Sequence, residues 1–368
     1  MVMKTTTYQP GQNINDIQKK YQIKKVIKLA SNENPSGPSP KAIKAGNKII
    51  NMINRYPDSK SKRLKEAINS YLSKSFIGLE NIMIGNGSNE ILEFIARRYL
   101  NEKSEVLFCR HSFLVYKIIS GNMNAKIIES NPVTTPGLNY LSVDLDDMKS
   151  RITSKTKVIF IANPSNPTGT ALKMRDIDKF ISSIPKRIIV VVDEAYYEYS
   201  LYQGLKSAIN LLKKYPNVVI TRSFSKIYAL AGSRIGYGLA SKKIVAEFND
   251  YRQPFNTNYV AQEMATVSLK DQAFVKKSLK DNQLGMDFLK SSFDKLGIFH
   301  LNSYTNFITI KLGSRTKKIF NELLKKGIIL RPLDNYGLPQ YLRVTIGSDR
   351  ENKLLINNLT KILRKGNL

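Results

Sequence analysis

The sequence predicts an α/β fold: a large domain on a mostly parallel, mixed sheet covered by helices, followed by a smaller α+β domain. The 368 residues are about two to three domains' worth of chain, and 42% hydrophobic residues suffice for a sizeable core. Short β-branched runs alternate with helix-period stretches. Because these runs are continuously apolar, they indicate a parallel sheet buried on both faces.

Short apolar runs followed by turn or polar residues predict the strands of this sheet. They are residues 106–109, 157–162, 188–192 and 218–221. Stretches with helical periodicity lie between them. In residues 90–100 an apolar stripe lies opposite Arg97 and Arg98, and this arrangement predicts an amphipathic helix. The stripe consists of Ile91, Leu92, Phe94, Ile95 and Tyr99.

The pattern changes after residue 254, where a smaller domain is expected to begin. A long helical tract at 260–296 is followed by strand-like segments at 306–311, 327–331 and 341–346. Residues 31–40 are rich in Ser, Asn, Pro and Gly, which predicts an irregular segment after an N-terminal arm. We therefore expect an arm that joins the small domain (1–38), a large domain (39–255) and a small domain (256–368).

The residue counts exclude several classes of protein. Cys109 is the single cysteine, so a disulfide within the chain and a multi-cysteine metal site are excluded. His111 and His300 are the two histidines, which excludes a histidine-rich zinc motif; we expect no metal. The first residues lack the apolar core of a signal peptide, and no apolar run approaches the roughly 18 residues that span a bilayer. We expect a soluble, cytoplasmic protein without a membrane partner.

The charge is strongly positive, with 58 Lys and Arg against 29 Asp and Glu and a net charge of +29. Such an excess favours anionic partners. However, the basic residues are scattered, with no block of like charges and no interleaved aromatic residues. We expect no nucleic-acid partner, and an anionic substrate would benefit from the charge. A basic nucleic-acid-binding protein on a degenerate enzyme scaffold remains the alternative from another class.

Two polar clusters have the composition of ligand-binding loops. In GNGSNE, residues 85–90, the glycines precede Ser88 and Asn89 at a predicted helix start, where free N–H groups and the helix dipole favour an anion. A glycine turn with a serine cap has the same pattern. In NPSNPTGT, residues 163–170, prolines stiffen the loop and can aim the Asn166 amide at a ligand. A purely structural turn is the alternative there.

Two further clusters supply charge. Asp193 ends an apolar strand, where a buried carboxylate is costly without a positive partner, and a protonated cofactor ring would serve. Ser223 and Ser225, together with Arg234, can converge on a phosphate. Lys226 lies in the same cluster, where cationic neighbours and partial desolvation would lower its pKa and make the amine nucleophilic.

These groups together match the requirements of pyridoxal 5'-phosphate. A lysine forms the Schiff base, an acid keeps the pyridine nitrogen protonated, and an asparagine and a tyrosine bond the phenolic oxygen. The chain offers Lys226, Asp193, Asn166 and Tyr196 for these roles. The sequence therefore predicts this cofactor.

The same motifs make the chain resemble the fold-type I pyridoxal-phosphate aminotransferases over nearly its whole length. NPTG, DEAY and SFSK with the spaced arginine are typical of the superfamily. NENP near the N-terminus and the arginine segments LRPLDNYGLP and YLRVTIG narrow the resemblance to the branch that acts on histidinol phosphate.

The resemblance implies roles for individual residues. Lys226 would be the Schiff-base lysine, Asp193 the partner of the pyridine nitrogen, and Asn166 and Tyr196 the ligands of the phenolic oxygen. Residues implied around the cofactor phosphate are Gly87, Ser88, Asn89, Ser223, Ser225 and Arg234, with Tyr56 from the other subunit of a homodimer. Phe113 would stack on the ring, although many relatives have a tyrosine there. Residues implied in substrate binding are Asn34, Arg331 and Arg343.

The implied activity is transamination between L-histidinol phosphate and 2-oxoglutarate, giving imidazole-acetol phosphate and L-glutamate in histidine biosynthesis. Two alternatives stay within the superfamily: an aromatic amino-acid aminotransferase and an enzyme like threonine-phosphate decarboxylase. Either could keep every cofactor residue and change only what the distal arginines hold.

Overall fold

The computed structural model describes residues 11–72 and 76–365. In chain order, the strands in these ranges are β1 (Ile27–Lys28), β2 (Ile82–Gly85), β3 (Glu105–Cys109), β4 (Lys126–Ser130), β5 (Thr156–Ala162), β6 (Ile189–Asp193), β7 (Val218–Ser223), β8 (Gly236–Leu239), β9 (Phe307–Lys311), β10 (Ile328–Ile329), β11 (Arg331–Pro332) and β12 (Tyr341–Thr345). The helices are α1 (Ile14–Tyr21), α2 (Pro40–Ile49), α3 (Lys62–Tyr71), α4 (Ser88–Tyr99), α5 (Leu114–Asn122), α6 (Leu145–Ser150), α7 (Met174–Ser182), α8 (Tyr197–Tyr202), α9 (Lys242–Tyr251), α10 (Tyr259–Lys270), α11 (Gln272–Lys295), α12 (Thr316–Lys325) and α13 (Asp349–Lys365).

A mixed sheet with the order β2-β8-β7-β6-β5-β3-β4 forms the centre of the larger part of the described chain. Strand β8 is antiparallel to both neighbours, and the other pairs are parallel. The predicted α/β class with a mostly parallel sheet is confirmed. The predicted runs became β3, β5, β6 and β7, whereas β2, β4 and β8 were not predicted.

The central strands are continuously apolar because both faces of the sheet are covered. In β6, Val190 and Val192 belong to the core on one face and Val191 to the core on the other. Burying such a side chain stabilises the fold by about 1.5–3 kcal/mol relative to leaving it exposed. Helix α4 also forms as predicted: its apolar stripe packs into the second core, and Arg97 and Arg98 are exposed.

A smaller antiparallel sheet, β11-β12-β9, has a core of its own. The N-terminal segment contributes to this core through Ile17 and Leu29, and β1 pairs in parallel with β10. Residues of the N-terminal segment thus pack with the smaller core, and the expected arm over residues 1–38 stays a prediction. Residues 1–10 of that arm lie outside the described ranges.

The boundary between the two cores does not fall at residue 256, where the sequence placed it. Helix α10 packs against α2 and α3, and its Ala261 and Ala265 belong to the core of the large sheet. The expected single helix over 260–296 is broken at Asp271 into α10 and α11. In α11, Val275 still packs on the large core and Met286 on the small one, so the change occurs within this helix.

Two negative findings apply to the described ranges. None of the helices in residues 11–72 and 76–365 is long and apolar enough to cross a membrane. In the same part of the chain, no group of three or more His, Cys, Asp and Glu is placed to hold a metal ion.

Candidate active site

A cavity of about 280 Å³ lies where the carboxyl ends of β5, β6 and β7 meet the smaller sheet and the N-terminal segment. Parallel α/β sheets place ligands at this edge. Residues that line it include Ser88, Asn89, Phe113, Asn166, Asp193, Tyr196, Ser223, Ser225, Lys226, Arg234, Arg331 and Arg343. The structure therefore brings together side chains that lie far apart in the sequence, from Asn32 in the N-terminal segment to Arg343 in β12.

Lys226 lies just after β7 and is half-buried. Burial, and after it the positive charge of Arg343, lowers the pKa of the lysine amine from 10.5 to about 8. The Nζ atom lies 3.4 Å from the carbonyl oxygen of Ser31, a long hydrogen bond that leaves the amine weakly held. The amine is thus much closer to neutrality at physiological pH than an exposed lysine.

Asp193 is the last residue of β6 and is buried. Its carboxylate accepts hydrogen bonds of 2.8 Å from the hydroxyl groups of Tyr116 and Thr221. Burial nevertheless raises the pKa of Asp193 above its usual value. A carboxylate that is fixed by two neutral donors and penalised by desolvation is suited to a cationic partner in the cavity.

Tyr196 is tied to the N-terminal segment, and Asn166 is tied to the smaller sheet. The Tyr196 hydroxyl accepts a 2.8 Å hydrogen bond from the Asn32 amide, and burial raises the pKa of this phenol to about 12. Asn166 accepts a 2.5 Å hydrogen bond from Nη1 of Arg343, whose Nη2 donates to the carbonyl oxygen of Ala30. Nε of Arg343 is buried and has no hydrogen-bond partner among the described residues, so this guanidinium keeps a donor for a ligand.

The start of α4 forms a cradle for an anion. Gly87 has φ +77°, and a Cβ atom at this position would lie 2.5 Å from Nη2 of Arg234. On the neighbouring strand, a Cβ at Gly236 would lie 2.4 Å from the backbone nitrogen of Ser88. Only glycine permits this close approach, which leaves the helix N-terminus and the arginine beside each other.

Phe113 precedes α5 and lines the cavity. Its ring meets Tyr116 edge to face, with 5.8 Å between centroids, and Tyr116 in turn stacks on Phe160. The residue predicted to stack on the cofactor ring is therefore held by the same tyrosine that holds Asp193.

Three predicted site residues are not part of this cavity's lining: Gly87 at the start of α4, Asn34 and Tyr56. The amide of Asn34 donates to the carbonyl oxygen of Ile227 and to Ser278, so Asn34 orients the chain beside Lys226 rather than facing the cavity. Tyr56 is 81% exposed and stacks on Phe255. Its predicted contact with the cofactor phosphate of another subunit stays a prediction.

Sequence reasoning missed Asn32, Tyr116, Thr221 and Tyr336, which contact or line the site. For Thr221 a signal was available, since it lies beside Asp193 if the predicted strands are neighbours and in register. The position of Asn32 depends on how the N-terminal segment meets β12, which no local pattern indicates.

The donor set fits pyridoxal phosphate. The cradle at α4 suits a phosphate, the desolvated Lys226 amine suits a carbonyl carbon, and the buried Asp193 suits a protonated ring nitrogen. The unpaired Nε of Arg343 leaves a cationic donor for a substrate anion. The fold and the site thus define a fold-type I pyridoxal-phosphate enzyme.

Comparison with known proteins agrees with this class. Residues 24–359 match the family described as aminotransferase class I and II. The chain belongs to this family, whose members carry pyridoxal phosphate, and the predicted cofactor and enzyme class are confirmed.

Individual relatives are more specific. The chain is 41% identical to histidinol-phosphate aminotransferase 2 of Hydrogenovibrio crunogenus over 98% of this chain and 94% of the relative. It is 40% identical to histidinol-phosphate aminotransferase 1 of Idiomarina loihiensis over 96% of this chain and 94% of that protein. A crystal structure of histidinol-phosphate aminotransferase from Sinorhizobium meliloti in complex with pyridoxal-5'-phosphate has the same fold. Its TM-score is 0.87 at 24% identity, covering 97% of this chain and 96% of that chain.

Proposed function

We propose that the protein catalyses reversible transamination between L-histidinol phosphate and 2-oxoglutarate, giving imidazole-acetol phosphate and L-glutamate in histidine biosynthesis. The observation that carries the reaction type is the convergence of Lys226, Asp193 and Arg343 on one cavity. The names of the relatives at about 40% identity support the choice of substrate.

When bound, pyridoxal phosphate supplies the electron sink that makes the Cα–H bond of the substrate amine acidic. Asp193 would hold the ring nitrogen, and the hydroxyls of Tyr116 and Thr221 keep the carboxylate in place. Asn166 and Tyr196 would hold the phenolic oxygen. Ser88, Asn89, Ser223, Ser225 and Arg234 would hold the phosphate, with Gly87 keeping the approach open.

Lys226 would carry the cofactor and, once displaced by the substrate amine, would move the Cα proton. With a pKa of about 8, roughly one amine in ten is neutral at pH 7. At the ordinary lysine pKa of 10.5 the neutral fraction would be smaller by a factor of roughly 300. Burial and the nearby arginine therefore prepare this residue as a general base.

Arg331 and Arg343 would hold the anionic groups of the two substrates. Both are buried on paired strands, at register positions directly opposite each other in β11 and β12. A charge-assisted contact of this kind contributes about 1.5–3 kcal/mol, roughly tenfold to a hundredfold in binding. The phosphate of histidinol phosphate and the distal carboxylate of glutamate both suit such a pair.

The test of the reaction compares Lys226→Ala with the exposed control Lys186→Ala. Purified wild-type protein should be yellow, bleach on addition of histidinol phosphate and form keto product with 2-oxoglutarate. Lys186→Ala should behave like wild type, and Lys226→Ala should lose the visible band of the lysine-bound cofactor and turnover. A Lys226→Ala variant that retains both would overturn the assignment.

The substrate is tested separately, by supplying histidinol phosphate, aromatic amino acids and threonine phosphate to the same preparation. Keto product with histidinol phosphate as the preferred amine is expected. Preference for aromatic amino acids, or release of carbon dioxide from threonine phosphate, would assign the protein to the corresponding alternative.

We further propose that the active unit is a homodimer. The surface around residues 50–57 and 254–260 has a cavity of about 790 Å³ and exposes Ile50, Ile53 and Tyr56. Exposed apolar area of this kind is typical of an interaction site. It is continuous with the segment whose Tyr56 is predicted to reach the phosphate of the other subunit.

Hybrid dimers test this arrangement. Chains carrying Lys226→Ala and chains carrying Tyr56→Phe are co-expressed with different tags, and the mixed species is purified. One of its two sites combines an intact Lys226 with an intact Tyr56 from the other chain. The hybrid should therefore approach half of wild-type activity while each parent stays low. A monomer in sedimentation, or a hybrid no more active than the mean of its parents, would contradict the proposal.

We also propose a cytoplasmic location and no dedicated nucleic-acid or membrane partner. The buried single thiol of Cys109 and the scattered basic residues support this. Cell fractionation should recover the protein with soluble cytoplasmic markers. Binding to duplex DNA that survives physiological salt and falls steeply at higher salt would favour the rival nucleic-acid function.

A further inference from the structure

His111 makes a contact between the two parts of the molecule that the predicted mechanism does not use. It lies in the loop between β3 and α5, two residues before Phe113. Its Nδ1 atom lies 2.6 Å from the carbonyl oxygen of Tyr336, which follows β11 in the smaller part. Because a carbonyl oxygen can only accept, Nδ1 must carry the proton. Burial lowers the pKa of His111, which favours the neutral ring with its proton on Nδ1.

The segment that His111 holds is a tight turn. Residues 334–336 form a 3₁₀ turn in which the Tyr336 N–H donates to the carbonyl oxygen of Leu333. The turn ends at Gly337, which has φ +73°, and a Cβ atom there would lie 3.4 Å from the His111 ring. The close approach of backbone and imidazole leaves this turn little freedom relative to the loop that carries Phe113.

Tyr336 faces the active site from this turn. The residue lines the cavity together with Arg331, five positions earlier, and is 6% exposed. Tyr336 also packs in a cluster that joins Leu114 of α5 to residues of the smaller part. Tyr336 therefore forms a fixed part of the cavity lining beside Arg331.

We propose that Tyr336 is a specificity-determining residue whose hydroxyl donates a hydrogen bond to the distal phosphate of the amine substrate, and that His111 is the positioning residue that holds it there. This inference rests on the proposed function, because it assigns the phosphate end of the same substrate. Arginine alone attracts a carboxylate as well as a phosphate. An additional neutral donor beside Arg331 favours the ligand with more acceptor oxygens, and a phosphate monoester has three terminal ones.

The test uses single-turnover reactions of the holoenzyme with histidinol phosphate and with histidinol, which lacks the phosphate. Tyr336→Phe should raise the apparent dissociation constant of histidinol phosphate about tenfold. The constant for histidinol and the limiting rates with both amines should change by less than about twofold. Tyr341→Phe is the matched control, since Tyr341 belongs to the same apolar cluster but does not line the cavity, and it should leave the ratio unchanged.

The positioning role of His111 is tested by His111→Leu and His111→Asn. Asparagine can place an amide N–H near the position of Nδ1, whereas leucine cannot donate. The leucine variant should lose phosphate preference about as much as Tyr336→Phe does, and the asparagine variant should recover most of it. His300→Asn is the control at the other histidine. Equal losses in both His111 variants, with lowered melting temperatures, would show a merely structural role and overturn this part of the inference.

The two proposals fail in different ways. Wild-type holoenzyme that does not react with histidinol phosphate contradicts the proposed function. The inference is then decided by calorimetric titration with inorganic phosphate, whose dissociation constant should still rise about tenfold in Tyr336→Phe. A phosphate preference that is unchanged in Tyr336→Phe, while the wild type turns over histidinol phosphate, contradicts the inference alone.

Discussion

The buried ion pair between Arg222 and Glu194 lies directly behind the active site, and its removal tests how the site is supported. Arg222 is 1% exposed and Glu194 is 3% exposed. Nε and Nη2 of the arginine lie 2.9 Å and 2.8 Å from the same carboxylate oxygen, and Nη2 also donates to Ser207 at 2.7 Å. The guanidinium carbon of Arg222 lies 3.6 Å from the centroid of the Tyr197 ring. The pair therefore fixes the ends of β6 and β7.

Arg222→Met removes the cation but leaves Glu194 buried. Breaking a buried pair by removing one partner costs about 3–5 kcal/mol, because the remaining charge is uncompensated. Glu194→Gln in the same chain removes that charge. The double variant should therefore lose about 1–3 kcal/mol less than the sum of the single variants. Since Asp193 and Ser223 are the immediate neighbours of the pair, Arg222→Met should also weaken cofactor retention.

The assay is equilibrium unfolding in urea, followed by far-UV circular dichroism and by tyrosine fluorescence, since the chain has no tryptophan. Coincidence of the two transitions permits a two-state free energy. Lys353→Met is the control, because Lys353 forms an exposed pair with Asp349 and should change stability by no more than about 0.5 kcal/mol. An Arg222→Met variant within about 1 kcal/mol of wild type, or strictly additive single variants, would refute the reasoning.

Three further changes have defined outcomes. Asp193→Asn should still attach the cofactor but turn over substrate at least about a hundredfold more slowly than wild type, because the fixed negative charge is lost. Absorption spectra before and after reduction of the attached cofactor check its attachment, and steady-state rates check turnover. Burial raises the pKa of Glu198 to about 7, so the folded state binds the Glu198 proton more tightly than the unfolded state does. The free energy of unfolding of the wild type should therefore fall by up to about 3 kcal/mol between pH 4.5 and 7, relative to that of Glu198→Gln. Urea unfolding at each pH measures this difference. Gly236→Ala should raise the cofactor dissociation constant at least about tenfold, because its Cβ would lie 2.4 Å from the Ser88 nitrogen, whereas Gly232→Ala, with open space around it, should not. Equal turnover of Asp193→Asn and wild type, an equal pH dependence of stability in Glu198→Gln and wild type, or equal cofactor binding by Gly236→Ala and Gly232→Ala would each contradict the reasoning given for that residue.

The sequence predicted the four central strands of the large sheet and missed the strands on either side of them, for a physical reason. Strands β3, β5, β6 and β7 are buried on both faces, so each reads as a continuous apolar run. Strand β8 has the sequence GYGL, in which Gly236 and Gly238 make room for Ser88 and Met83 instead of filling a core. The sequence pattern alone does not show that this segment forms a strand between β2 and β7.

Residues that line the cavity were predictable where a motif ends or follows a strand, as with Asp193, Asn166 and Lys226. Residues brought in by tertiary packing were not. Tyr116 reaches Asp193 from α5, and Asn32 reaches Tyr196 across 164 positions of sequence. Asn34 was assigned to the substrate, but the chain turns so that Asn32 lines the cavity instead. The expected boundary at 255/256 missed the packing of α10, because a helical period does not say which core the helix joins.

The central claim, that the Lys226 amine carries pyridoxal phosphate, is tested most directly by borohydride reduction of the purified protein, proteolysis and mass spectrometry. The account predicts a single peptide with the mass of the reduced phosphopyridoxyl group, fragmenting at Lys226. The label on another lysine, or its absence from protein that is yellow before reduction, would contradict it.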